Sequence, residues 1–307
     1  MVNPPMPAAK LQNQSTSDDP KGPDFIIIGG MKCATSTLHE QLALQPGIFM
    51  TSLKEPNFFS NDEEFAKGMD YYQSLFAAAK PKDLCGESST HYTKLPTYPD
   101  TIQRLAAAFP QAKFIYVMRH PIDRLVSQYI HEWTQRVVNT EIDEAIDQIP
   151  ELIEYSLYTK QLQPYFDQFG RDRVLPVFFE RMLAHPQAEL DRVCQFIGYA
   201  GTPTWQDLDA QNVSADRIRT SAWRDFLVEA PGLKQLRRWL IPKSWRTWVR
   251  NLWSMKKRPH LSDQRRLDLQ QTFDQDLEVL GSWLGIPLSC ETFKTTVKSQ
   301  SSLHWVE

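Results

Sequence analysis

The sequence predicts an α/β fold of three layers, with a central, mostly parallel sheet flanked by helices. Three observations lead there. Short apolar, β-branched runs recur along the chain, each is followed or preceded by a helix-compatible segment, and glycine or proline marks most of the handovers. Strands that alternate with helices pair most simply in parallel, leaving the helices to cover both sheet faces.

The first strand is Phe25-Ile26-Ile27-Ile28, ended by Gly29-Gly30. Thr35 to Leu44 then reads as a helix with Leu38, Leu42 and Leu44 on a partly periodic apolar face, stopped by Gln45-Pro46-Gly47. A second buried strand, Lys113 to Met118, follows an amphipathic helix over Ile102–Phe109 and runs at once into Arg119-His120-Pro121. A third, Val174 to Phe179, contains Pro176, which suggests a sheet edge or a bulge. Ala188 to Ile197 is a helix ended by Gly198. Residues 262–284 form a long amphipathic helix through Leu267, Leu269, Phe273, Leu277, Leu280 and Leu284, with the period of a helix packed on a core.

At 307 residues the chain can bury one good core. Its 34 basic and 37 acidic residues leave a net charge of −3, so the molecule as a whole does not attract polyanions, and nucleic acid is not an expected partner. Cys33, Cys85, Cys194 and Cys290 are far apart with no Cys-x-x-Cys pair, which argues against a zinc site or a secreted disulfide framework. No metal is expected, and a cytoplasmic, reducing setting is. No apolar run reaches the roughly 18 residues of a membrane span. Residues 1–22 carry Pro4, Pro5 and Pro7 and then a polar run to Asp19, and read as a disordered leader without the apolar core of a signal peptide. Residues 23–307 read as a single domain.

Chemistry concentrates first at Gly29 to Leu38, where a parallel strand hands over to a helix. First-turn N–H groups have no intrahelical partner, and the helix dipole adds partial positive charge, so hydroxyl residues plus a lysine make a cradle for phosphate or sulfate. A nucleoside-triphosphate P-loop would place Gly-Lys-Ser/Thr at the helix start. Here those positions hold Ala34-Thr35-Ser36, and the lysine stands earlier, at Lys32. The segment reads as P-loop-like, phosphate-binding but not triphosphate-binding. A second anion clamp is expected at the end of the Lys113–Met118 strand, where Arg119 stands in place of a Mg-binding aspartate and Ser127 follows one or two helical turns on. The plainer alternative is a surface pair of Arg119 with Asp123. Two separated anion sites with no obvious metal ligand suit a nucleotide phosphorylated at both ends.

These segments resemble, in chain order, the motifs of sulfotransferases that use 3′-phosphoadenosine 5′-phosphosulfate (PAPS). Lys32 to Leu38 is similar to the family's 5′-phosphosulfate loop, Lys-x-Gly-Thr-Thr/Ser. Arg119 to Tyr129 resembles its 3′-phosphate motif, Arg-x-Pro, then Arg, then Ser-x-Tyr. Lys54-Glu55-Pro56-Asn57-Phe58-Phe59, Gly86-Glu87-Ser88-Ser89 and Asn212-Val213-Ser214 through Arg219 resemble segments of the heparan-sulfate-type and bacterial branch. Ala34 stands where the family usually has glycine, so a turn needing positive φ would be strained there. Asn57 and Ser88 replace a histidine and a lysine of some glycosaminoglycan enzymes.

The resemblance implies a sulfuryl transfer from PAPS to an acceptor hydroxyl or amine, leaving adenosine 3′,5′-bisphosphate. It places Lys32 on the bridging oxygen, with Cys33, Ala34, Thr35, Ser36 and Thr37 around the 5′ end. Arg119 and Ser127 then hold the 3′-phosphate, and Arg219 makes a third anion contact. Glu55 matches the catalytic glutamate and is the expected general base, for which its basicity must be raised toward neutrality. His91 is the alternative base. The acceptor stays open among glycans, lipids, peptides and small metabolites. Residues 233–259 combine nine basic side chains, from Lys234 to Arg258, with Trp239, Trp245, Trp248 and Trp253. They read as amphipathic helices on the core, an acceptor-binding lid, or a peripheral membrane contact. Rival readings of the whole chain are a P-loop-type kinase and a non-catalytic nucleotide- or membrane-binding scaffold.

Overall fold

A computed structural model describes residues 22–207 and 259–306. The expected leader up to Lys21, Arg217, Arg219 and the basic stretch through Arg258 lie outside the described residues. Five strands, β1 (Phe25–Gly29), β2 (Ile48–Met50), β3 (Leu84–Ser88), β4 (Lys113–Met118) and β5 (Val174–Phe178), form one sheet in the order β2-β3-β1-β4-β5. Every neighbouring pair is parallel.

Ten α-helices lie in the first described stretch: α1 (Thr35–Ala43), α2 (Asp62–Phe65), α3 (Met69–Ser74), α4 (Thr101–Ala108), α5 (Pro121–Thr134), α6 (Ile142–Gln148), α7 (Glu151–Glu154), α8 (Tyr158–Phe169), α9 (Phe179–Ala184) and α10 (Pro186–Ile197). A long helix, Asp263–Leu284, and a short one, Phe293–Ser299, follow in the second.

The strands alternate across the sheet with the expected period of two. Ile26, Ile28, Phe114, Tyr116 and Met118 enter one core, closed by α3, α4, α5, α8 and the long helix. Phe25, Ile27, Ile115, Val117, Leu175 and Val177 enter the other, closed by Leu38 and Leu42 of α1 and by Leu190, Val193 and Ile197 of α10. Each such buried side chain contributes about 1.5–3 kcal/mol, and two-sided coverage is why these strands are apolar throughout. On the long helix, Leu269, Phe273, Leu277, Leu280 and Leu284 are buried as the period requires, but Leu267 is 59% exposed. Two residues from Leu269, it points about 200° around the helix. Leu44 is likewise exposed, because α1 has ended before it.

Pro176 lies on the outer strand, where its missing N–H costs least. The carbonyls along that edge are taken by side chains. Trp305 Nε1 donates to Val174 O at 2.6 Å and Arg192 Nη2 to Pro176 O at 2.5 Å. Leu84–Ser88 is a strand that composition hides, since it holds a glycine, a glutamate and a serine. Gly86 is there for space: a Cβ would stand 2.4 Å from the ring of Phe25.

The chain begins the sheet at its centre, builds β2 and β3 to one side, then crosses to β4 and β5 on the other. The carboxyl ends of β1, β3 and β4 therefore face a crevice where strand order reverses, the place where open α/β sheets hold ligands.

Candidate active site

The loop after β1 is pinned to the sheet before it meets the helix. Gly30 N donates to Val117 O at 2.7 Å and Cys33 N to Gly30 O at 3.2 Å. Lys32 and Ala34 both adopt left-handed backbone, at φ 66° and 67°, so the alanine sits in the conformation that glycine would take without cost. Cys33 is buried, and burial pushes its thiol up to about 12, so this residue packs the loop and its side chain carries no charge. Thr35 is buried at the start of α1, while Ser36 and Thr37 are half-buried in the first turn, whose N–H groups precede any intrahelical acceptor.

Arg119, at the end of β4, reaches across to this loop, with Nη1 donating to Lys32 O at 3.3 Å. Its guanidinium lies over the Phe179 ring at 4.7 Å. Its backbone is held by Tyr158, whose hydroxyl donates to Arg119 O and accepts from Arg119 N. Arg119 Nε is buried with no hydrogen-bond partner. Burial lowers the Lys32 pKa, and the nearby charges of Arg119 and Lys54 lower it further. Ser127 lies half-buried on α5. Arg124, the second arginine of that motif, is fully buried and donates to Ser156 Oγ and, at 2.8 Å, to Leu152 O. It fastens α5 to the turn before α8. Asp123 pairs with Lys294 at 2.6 Å.

Glu55 stands opposite. Its N–H donates to Ser88 O at 2.9 Å, tying it to the end of β3. Its Oε2 accepts from both the N–H and the hydroxyl of Thr90, each at 2.9 Å. Its φ is 58°, again left-handed. Lys54 points inward: Nζ donates to Ser36 Oγ and lies 3.8 Å from Glu55 Oε1. The lysine thus joins the loop after β1 to the glutamate, and neither partner is a free surface charge, at 31% and 29% side-chain exposure.

Sequence reasoning missed Lys54 as a site residue, and with it Lys94 and Glu132. Burial brings Lys94 down to about 8, with Glu55 and then Glu132 opposing that fall, and its Nζ lies 5.7 Å over the Tyr155 ring. Glu132 also acts on Lys32. Lys54 had a signal, being adjacent to Glu55; Lys94 and Glu132 come to the crevice only through the fold. His91 stacks on Tyr98 at 4.8 Å and 14°, and burial, followed by Lys94, brings it down to about 4. The structure therefore brings Lys32, Ser36, Lys54, Glu55 and Arg119 together, and puts the His91 ring in an aromatic stack.

The fold defines a P-loop-like α/β protein with Lys32, Lys54 and Arg119 gathered at its strand ends. A profile described as "Sulfotransferase family" matches residues 50–207, just over half of the chain. The chain belongs to the sulfotransferase family. Over 188 residues it is 31% identical to heparan sulfate glucosamine 3-O-sulfotransferase 3B1 of Mus musculus, covering 57% of this chain and 46% of that one. Over 187 residues it is 28% identical to heparan sulfate glucosamine 3-O-sulfotransferase 5 of Homo sapiens, covering 57% and 53%. The chain spans about half the length of these curated relatives. A solved sulfotransferase from Alicyclobacillus acidocaldarius shares the fold, with a TM-score of 0.62 and 24% identity over 87% of this chain and 98% of that one.

Proposed function

We propose that this chain is a sulfotransferase that moves a sulfuryl group from PAPS onto an acceptor hydroxyl or amine. The observation that carries the reading is the meeting of Lys32 and Arg119 from adjacent strand ends, with Arg119 Nε buried and unpartnered. Buried polar groups are normally satisfied, and a cation pair with an orphaned donor fits an anionic ligand. When bound, PAPS supplies an activated sulfuryl group on a 5′-phosphate leaving group and a 3′-phosphate that anchors it.

In this reading Lys32 neutralises charge on the bridging oxygen, assisted by the N–H groups of Cys33 to Thr37 left free by the loop and by the Ser36 and Thr37 hydroxyls. Cys33 N is already committed to Gly30 O, so the contribution falls mainly on Thr35, Ser36 and Thr37. Arg119 and Ser127 hold the 3′-phosphate, and Arg219 is proposed as a further contact. Glu55, aimed by Thr90, takes the acceptor's proton as the new bond to sulfur forms. Lys54 holds Ser36 and Glu55 in register. His91 is the weaker candidate for the base, since its imidazole is engaged with Tyr98.

The names of the relatives make a sugar hydroxyl the first acceptor to try, ahead of lipids and small metabolites. The test is transfer of label from 35S-PAPS to a panel of acceptors. A labelled product that disappears with Lys32→Ala supports the reading; no transfer to any acceptor, with unchanged background in Lys32→Ala, overturns it.

A further inference from the structure

We infer that Glu87 is a positioning residue for Glu55, acting through Ser89 on the turn that carries it; this rests on the reading of Glu55 as the base. Glu87 lies on β3 and is fully buried. Its Oε1 accepts from the hydroxyls of Tyr72 and Tyr92, each at 2.9 Å, and its Oε2 accepts from Ser89 Oγ at 2.8 Å. Ser89 Oγ in turn accepts from Asn57 N at 3.0 Å. Beside this chain, Glu55 N donates to Ser88 O, and Thr90 donates twice to the Glu55 carboxylate. The stretch 87–90 is thus a template on which residues 55–57 are laid.

The turn needs one. Glu55 and Asn57 hold φ values of 58° and 51°. Asparagine enters that region readily, but a glutamate stays there only where its surroundings fix it. A hydroxyl turns freely and can donate in several directions. An ionised carboxylate is an acceptor only, so it draws the Ser89 hydrogen to itself and leaves the oxygen lone pairs facing Asn57 N–H. A protonated Glu87 can instead donate to Ser89, releasing the serine hydrogen to turn elsewhere. The protonation state of a buried group is thereby felt at the backbone of Asn57, two residues after the candidate base.

Burial pushes Glu87 up to about 7, against the hydrogen bonds from Ser89, Tyr92 and Tyr72, so both states are populated near neutrality. The groups facing it are Tyr72 of α3, Tyr92, Tyr165 of α8 and Glu55. The three phenols are raised well above their ordinary value and do not titrate in this range. Lys94, brought down to about 8, is the other group of this region that titrates close by, and it lies on the Glu55 side.

The test uses the full 15N-labelled chain, following the Asn57 amide resonance from about pH 5.5 to 8.5 in wild type, Glu87→Gln, Ser89→Ala and Glu55→Gln. Wild type is expected to show a titration with a midpoint of about 7, and Glu55→Gln one moved lower by the loss of the Glu55 charge; it should be absent in Glu87→Gln and Ser89→Ala. Thermal stabilisation by adenosine 3′,5′-bisphosphate should persist in all four, showing folded proteins with intact donor sites. Transfer of label from 35S-PAPS to the acceptor found by the panel should fall roughly tenfold in Ser89→Ala and no further when Ser89→Ala is added to Glu55→Gln. An Asn57 titration unchanged in Glu87→Gln, or equal losses from Ser89→Ala in both backgrounds, would overturn the inference. Wild-type turnover by Glu55→Gln would overturn the base reading instead, while the Asn57 titration still decides whether the relay exists.

Discussion

At Ala34 the chain accepts a left-handed backbone, φ 67°, at the N-cap of α1. An L-residue costs about 1–2 kcal/mol there; glycine relieves that strain, but its larger unfolded-state entropy offsets part of the gain. Ala34→Gly is expected to stabilise the protein by about 0.5–1 kcal/mol in urea unfolding; a loss of stability would mean that the methyl group packs usefully. Glu55→Gln keeps size and hydrogen bonding but cannot take a proton. It should cut turnover by about two to four orders of magnitude at unchanged donor affinity. If His91 were the base, His91→Asn would be crippled and Glu55→Gln nearly normal. Glu87 gives a pH signature in stability. Its folded value, about 7, lies above its ordinary 4.5, so between those values the native state holds the extra proton and stability falls as pH rises. The fall amounts to roughly 3 kcal/mol, complete above pH 7 and absent below pH 4.5. Unfolding free energies of Glu87→Gln across that range should lack this slope; the same slope in the variant would assign it to another group.

Among the elements, the long helix Asp263–Leu284 matters beyond its packing. Asp276 is buried and accepts from the N–H groups of Tyr158, at 2.8 Å, and Thr159, at 3.1 Å, at the start of α8. Tyr158 then holds the backbone of Arg119. Asp276→Ala would leave these donors unpaired and should cost about 2–3 kcal/mol in denaturant unfolding; a cost near zero would show that α8 is fixed by packing alone. β1, β4, β5, α1, α4, α10 and the long helix were legible in the sequence because each is apolar on a face with a clear period and ends at glycine, proline or a charge. β2 and β3 were not. β2 is three residues long, and β3 is a strand because β1 and β2 flank it, not because Gly86, Glu87 and Ser88 favour one. Lys32 and Arg119 announce themselves at strand ends, whereas Lys94 and Glu132 are ordinary surface types in the sequence and meet only across the crevice.

For the whole molecule, we propose that one crevice at the strand-order reversal binds a nucleotide by two anion clamps, one after β1 and one after β4. Arg119→Ala should therefore weaken donor binding, while Lys32→Ala should chiefly abolish turnover, because the first acts on charge already present in the ground state and the second on charge that grows during reaction. The most direct measurement is the thermal shift produced by adenosine 3′,5′-bisphosphate without magnesium, set beside that of Mg-ATP at the same concentration. A ligand that binds only the native state raises stability by about 2.7 kcal/mol at one hundred times its dissociation constant. The account predicts a clear rise in Tm with the bisphosphate, reduced in Arg119→Ala, and a smaller rise with Mg-ATP. Equal or greater stabilisation by Mg-ATP, undiminished in Arg119→Ala, would contradict it.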